Sequence, residues 1–216
     1  MNAHFVETAT HGRYLLEGPA DAVTLLAGFH GYGETAEVQM ERLRLLPGAS
    51  ACALAAVQSL HLFYTKANEV VGSWMTRLGR EHAIEDNTRY AAAVVADVRR
   101  RHLSIERVVY AGFSQGVAMA YRAAARIGQP GDAVFAIGGD LPPDVADDPA
   151  ARLPPVLVAR GLRDEWFTDA KLERDLAALR GRGVPVTSVV FEGAHEWPEP
   201  IFAAAAEFLR ERAVAP

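Results

Sequence analysis

The chain has 216 residues, half of them hydrophobic, and a formal net charge of −5. These values fit one globular domain, residues 1–216, and exclude an intrinsically disordered chain. The modest acidic charge gives no reason to expect a nucleic-acid partner. No apolar run approaches the roughly 18 residues of a membrane-spanning helix. Residues 1–20 lack a basic segment followed by an apolar one, so no signal peptide is predicted and the cytoplasm is the expected location.

Short apolar runs alternate with helical patterns along the chain. The predicted strands, in chain order, are an antiparallel hairpin of residues 5–8 and 13–17, then 23–29, 51–57, 107–111, 132–137, 156–160 and 186–191. The predicted helices are 36–46, 81–102, 117–126, 169–180 and 200–212, and residues 60–80 are expected to be irregular. This alternation predicts an α/β fold with a mostly parallel central sheet, an antiparallel N-terminal hairpin and helices on both faces.

The most informative turn joins the 107–111 strand to the next helix and reads Gly112-Phe113-Ser114-Gln115-Gly116. A serine at the apex of a strand–turn–helix unit is exposed above the sheet, and glycines allow the strained turn and the close passage of strand and helix. A turn without chemistry is the alternative interpretation. Other parts of the chain favour Ser114 as a nucleophile.

A serine nucleophile needs a base, and the base needs a carboxylate that orients it. Hydrolases with this turn place the serine, the acid and the histidine in that order along the chain. His195 is the only histidine after Ser114. Asp164 follows the strand before His195 and is the favoured acid, while Asp140 and Glu165 are its rivals. The order predicts His195 as the general base.

A glycine-rich loop, His30-Gly31-Tyr32-Gly33, follows the 23–29 strand and precedes a helix. A second oxyanion donor is expected at such a loop, so the backbone N–H groups of Tyr32 and Gln115 are predicted to form the oxyanion hole. His30 lies before the serine in the chain, which breaks the expected triad order. A structural role is therefore favoured for His30.

These motifs resemble the α/β-hydrolase superfamily and, within it, the small phospholipase/carboxylesterase family that includes acyl-protein thioesterases. The matching segments are His30-Gly31-Tyr32-Gly33, the glycine–serine turn, Ala136-Ile137-Gly138-Gly139-Asp140-Leu141-Pro142, Asp164 and Gly193-Ala194-His195-Glu196. The resemblance implies a serine carboxylesterase or thioesterase with a Ser-His-Asp triad, an acyl-enzyme intermediate and no cofactor or metal. It also places Asp140 in a wall of the pocket. The alternatives are a lactone or dienelactone hydrolase and an inactive hydrolase fold that serves as a binding module.

The substrate pocket is expected to involve Phe63, Trp74, Leu141 and Trp166. Loops longer than about 12–15 residues in a compact domain tend to be functional, which points to the segment 60–80. That segment is apolar and aromatic near both ends, which predicts small-molecule esters or thioesters of short to medium acyl groups without a charged tail. A homodimer is compatible with the sequence.

Overall fold

The computed structural model describes residues 1–127 and 131–211. Its strands are β1 (Tyr14–Glu17), β2 (Thr24–Phe29), β3 (Ala53–Val57), β4 (His61–Tyr64), β5 (Val70–Ser73), β6 (Arg107–Phe113), β7 (Ala133–Ile137), β8 (Val156–Gly161) and β9 (Val186–Phe191). Its helices are α1 (Ala36–Arg44), α2 (Arg80–Arg101), α3 (Gln115–Arg126), α4 (Pro143–Ala146), α5 (Asp169–Gly181) and α6 (Pro200–Glu211). The predicted last residue of the final helix, Arg212, lies outside the described residues.

Seven strands form one sheet in the order β1-β3-β2-β6-β7-β8-β9. All neighbouring strands are parallel except β1, which runs antiparallel to β3. The central strands are buried along their whole length because helices cover both faces. Helices α2, α3 and α5 pack on one face, and α1 and α6 pack on the other. The predicted α/β fold with a mostly parallel sheet is confirmed.

The predicted N-terminal hairpin is wrong, because residues 5–8 form no strand. The partner of β1 is β3, with Tyr14 opposite Val57. The segment before β1 is instead held against α2, where the Phe5 ring centroid lies 4.8 Å from that of His82. Sequence alternation alone therefore suggested a partner close in the chain, whereas β1 pairs with the buried strand β3 instead.

The segment 60–80 is irregular only in part, which is a second correction. Strands β4 and β5 form a separate two-stranded antiparallel hairpin that pairs His61 with Ser73. Its turn is closed by the Thr65 N–H, which donates to the Glu69 carbonyl over 2.9 Å, and it contains Asn68 at φ 63°. Asparagine tolerates this left-handed conformation better than most residues. Among the described helices, none combines the length and apolarity needed to cross a bilayer.

Candidate active site

The turn between β6 and α3 is strained and tightly packed. Ser114 has φ 52° and ψ −118°, a backbone conformation that non-glycine residues rarely adopt. A Cβ atom at Gly112 would lie 2.5 Å from the carbonyl oxygen of Gly116, and one at Gly116 would lie 2.1 Å from that of Phe29. Both glycines are therefore required by the close approach of β6, α3 and β2. The Ser114 N–H is held by the Ile137 carbonyl at 2.9 Å.

Asp164 is the carboxylate that contacts His195. The His195 Nδ1 atom lies 2.8 Å from Asp164 Oδ2. The other carboxylate oxygen, Oδ1, accepts the backbone N–H groups of Trp166 and Phe167, each over 2.8 Å. These bonds fix the carboxylate as an acceptor, so Nδ1 of His195 carries the proton and Nε2 is left to accept one.

Ser114 and His195 border the same glycine segment at the carboxyl edge of the sheet. The rings of Phe113 and His195 are 4.9 Å apart between centroids. A Cβ atom at Gly138 would lie 3.2 Å from Cε1 of His195, and one at Gly139 would lie 2.4 Å from the Ser114 carbonyl oxygen. The serine and the histidine therefore approach from two sides of the loop that follows β7.

The rival carboxylates lie elsewhere. Asp140 forms ion pairs with Lys171 and Arg174, at 3.2 Å and 3.5 Å. Glu165 is exposed, and within the described residues neither rival contacts His195. The geometry thus supports Asp164 as the acid.

His30 is a buried support of the glycine-rich loop. Its Nε2 accepts the backbone N–H of Ser59 over 3.1 Å, so Nδ1 is protonated and donates to the Gly31 carbonyl at 2.7 Å. Burial lowers the pKa of His30 below its ordinary value, which keeps the ring neutral. These contacts fit the structural role favoured by the sequence order.

Glu34 also holds this loop, and the sequence analysis missed it. Its carboxylate accepts the Gly31 N–H over 2.7 Å and both terminal nitrogens of Arg42 over 2.6 Å and 2.7 Å. Burial tends to raise the pKa of Glu34, but the bonds and charge of Arg42 outweigh it and leave the pKa below its usual value. The Arg42 guanidinium lies 4.1 Å from the Phe113 ring centroid, which links the loop to the elbow, the turn formed by residues 112–116. A glutamate before a helix carries no distinctive motif, so only the contact reveals it.

The two candidate oxyanion donors are free. The backbone N–H groups of Tyr32 and Gln115 donate to no atom of the residues that the structure describes. The Gln115 side chain is engaged, since Oε1 accepts the Trp74 N–H over 2.8 Å and Nε2 donates to the Met75 carbonyl over 3.1 Å. The elbow is therefore tied to the segment after β5.

A cavity of about 440 Å³ opens beside Ser114 and is lined in part by Trp166. The other three residues expected in the pocket do not line this cavity. Trp74 is completely buried, and Leu141 is 3% exposed. The Phe63 ring stacks on the Tyr32 ring, 5.4 Å away, and does not line the cavity. Trp74 and Leu141 therefore belong to the packing beneath the loops, although the sequence suggested them for substrate binding.

The ionisable residues that do line the cavity are Arg77, Arg80, Arg122, Asp140 and Lys171. This lining does not fit the expected preference for uncharged acyl groups. Elsewhere in the described chain, no group of three or more histidine, cysteine, aspartate or glutamate side chains is arranged to hold a metal ion.

The parallel sheet and the serine at its strand–turn–helix junction define an α/β-hydrolase. The family model of the dienelactone hydrolase family matches residues 64–197, and the chain belongs to this family. The resemblance to α/β-hydrolases is confirmed. No curated protein matches the chain.

Solved structures share the fold over nearly the whole chain. Esterase PE8 has a TM-score of 0.78 at 22% identity, with 94% of this chain and 99% of that chain covered. The Bacillus cereus carboxylesterase has a TM-score of 0.74 at 16% identity, with 93% and 94% covered. Zea mays acyl-protein thioesterase 2 has a TM-score of 0.74 at 16% identity, with 94% and 99% covered. At these identities the similarity establishes the fold alone.

Proposed function

We propose that the protein is a serine hydrolase that cleaves carboxylic ester or thioester bonds of short to medium acyl groups. The observation that carries this proposal is the contact of 2.8 Å between His195 Nδ1 and Asp164 Oδ2. It orients a histidine next to the glycine segment that also borders Ser114. The structures of esterases and of an acyl-protein thioesterase share this fold and support the same reaction class.

The reaction begins when Ser114 Oγ attacks the acyl carbonyl carbon and His195 Nε2 takes the hydroxyl proton. The oxyanion of the tetrahedral intermediate accepts hydrogen bonds from the backbone N–H groups of Tyr32 and Gln115. Each such donor typically stabilises the transition state by about 3–4 kcal/mol. The intermediate expels the alcohol or thiol, which receives the proton from His195. Water then attacks the acyl-enzyme with His195 again as base, and the carboxylic acid leaves while Ser114 recovers its proton. Asp164 stabilises the imidazolium in both steps.

Hydrolysis of a lactone is the second candidate, and the family match favours it. The same triad can open a cyclic ester. A cysteine nucleophile is not available, because the chain's only cysteine is Cys52. This residue is buried away from the cavity, and burial raises the pKa of its thiol to about 11. A comparison of γ-lactones with acyclic esters of equal carbon number separates the two candidates.

The proposed function is tested by labelling with a fluorophosphonate and by hydrolysis of p-nitrophenyl esters of graded chain length. Wild-type protein should be labelled at Ser114 and should turn over the shorter esters fastest. Ser114→Ala should lose labelling and about 10³-fold or more in kcat, because the triad acts as a unit. Ser104→Ala, in an exposed turn, is the matched control. Full activity in Ser114→Ala, or labelling of a different serine, contradicts the proposal.

A further inference from the structure

The cavity beside Ser114 has an excess of positive charge. Arg77 and Arg80 are exposed, and neither forms an ion pair with a described residue. Asp140, the one acidic residue among those lining the cavity in the described chain, is shared by Lys171 and Arg174. In a protein of net charge −5, such a concentration of cations next to the nucleophile is unexpected.

Arg122 supplies a buried donor without a partner. The residue is completely buried, yet it lines the cavity. Its Nε and Nη2 atoms donate to Asp144 over 3.0 Å and 2.7 Å, whereas Nη1 is buried without a hydrogen-bond partner among the described residues. Asp144 also pairs with Arg126 at 3.0 Å, so one carboxylate serves two guanidinium groups. A buried donor left unpaired is destabilising, so an anionic acceptor at Nη1 would be favoured.

The position of Arg122 on α3 determines how far a bound anion would lie from the carbonyl that Ser114 attacks. Ala118 and Arg122 both line the cavity, and they lie one turn apart on α3, the helix that begins after Ser114. The backbone of Arg122 is therefore about 12 Å along the helix axis from the serine, and its side chain leans back toward the N-terminus. An anion held there is separated from the scissile carbonyl by several atoms.

We propose that the substrate is an acyclic ester or thioester that carries a carboxylate several atoms from its scissile carbonyl. Arg122 binds that carboxylate at the inner end of the cavity, and Arg77 and Arg80 attract it from the opening. The proposal rests on the proposed serine-hydrolase function and names its substrate class. The carboxylate belongs either to the acyl half, as in monoesters of dicarboxylic acids, or to the alcohol half, as in esters of hydroxycarboxylic acids.

Two series of esters test the proposal in a pH-stat. The acyl arm compares the ethyl monoesters of succinate, adipate and suberate with ethyl butyrate, hexanoate and octanoate. The alcohol arm compares the butyrate ester of 6-hydroxyhexanoate with hexyl butyrate. In one of the two series, kcat/KM for the anionic ester should exceed that for the neutral ester by about tenfold or more at low salt. The difference should become smaller as salt screens the exposed arginines.

The variant Arg77→Gln/Arg80→Gln should lower the ratio of anionic to neutral kcat/KM by about tenfold. Both residues are exposed, so the variant should fold. Arg89→Gln, exposed on α2 outside the cavity, is the matched control and should keep the wild-type ratio. Arg122→Lys keeps the positive charge but loses the planar guanidinium. It should weaken the preference for anionic esters by raising their KM.

Equal or lower activity on the anionic esters in both series, with the neutral esters hydrolysed, overturns this inference alone. Absence of all ester hydrolysis overturns the proposed function with it.

Discussion

Among single residues, Asp164 and Asp140 are the two carboxylates that could serve His195. Asp140 and Asp164 both follow parallel strands, so both lie at the same edge of the sheet. Asp164 is 4% exposed and bonded on both oxygens, whereas Asp140 is exposed to a greater degree and neutralised by cations. The buried Asp164 carboxylate therefore holds one tautomer of His195, whereas the Asp140 carboxylate is engaged by Lys171 and Arg174.

Asp164→Asn should therefore lower kcat by up to about 10⁴-fold, because an amide at this position favours the wrong tautomer of His195. Its stability should change little, since the amide oxygen can still accept the N–H groups of Trp166 and Phe167. Steady-state kinetics and urea unfolding measure the two effects. Asp140→Asn is the comparison, and a large loss of kcat there with none in Asp164→Asn assigns the acid to the earlier strand.

At the scale of elements, the site depends on three backbones that pass within van der Waals distance. The elbow helix α3 lies against β2 so closely that Gly116 has no room for a methyl group. The glycine-rich loop continues from β2, so this packing also sets the distance between the two candidate oxyanion donors. Small residues at this crossing are thus a requirement of the site.

Gly116→Ala should destabilise the protein by about 1–3 kcal/mol or more, because its Cβ meets the carbonyl oxygens of Phe29 and His30 at 2.1 Å and 2.6 Å. The activity of the remaining folded protein should fall as well, since α3 must move away from the loop. Gly181→Ala is the control: outside the adjacent backbone of α5, no described atom lies within 4 Å of the added Cβ, and stability should change by less than about 1 kcal/mol. Urea unfolding and kcat/KM report both effects, and equal stability of the two variants contradicts the packing argument.

At the scale of the whole molecule, the sheet brings loops after β2, β6, β7, β8 and β9 to one edge. The buried His30 connects this edge to overall stability. Because burial lowers its pKa, the folded protein resists protonation of His30, while the unfolded chain takes up a proton below about pH 6.5. Stability from this group is therefore present above that pH and is lost as the pH falls through it.

The free energy of unfolding of the wild type should fall between about pH 7.5 and pH 5.5, and His30 can contribute up to about 1.4 kcal/mol per pH unit. His30→Gln should be less stable at pH 7.5, because it loses buried hydrogen bonds, but its stability should fall less steeply toward acid. Urea unfolding at several pH values gives both slopes. Parallel slopes for the two proteins would show instead that folding does not lower the pKa of His30.

The sequence by itself determined the fold class and the arrangement of the chemistry along the chain. The order of Ser114, Asp164 and His195 can be read directly from the chain. Apolar runs and the glycines around Ser114 are local patterns, and local patterns specify strands, turns and the sheet edge that the loops reach. The bounds of the central strands agree with the predicted ones within a few residues for the same reason.

The tertiary structure decided which side chains meet. The antiparallel partner of β1, the support that Glu34 gives to the loop, and the burial of Trp74 depend on contacts between residues far apart in the chain. So does the cationic cavity, where Arg77 and Arg122 come from separate elements. Hydrophobic periodicity indicates that an apolar side chain faces inward. The paths of the loops determine whether that side chain lies in the core or in the wall of a cavity.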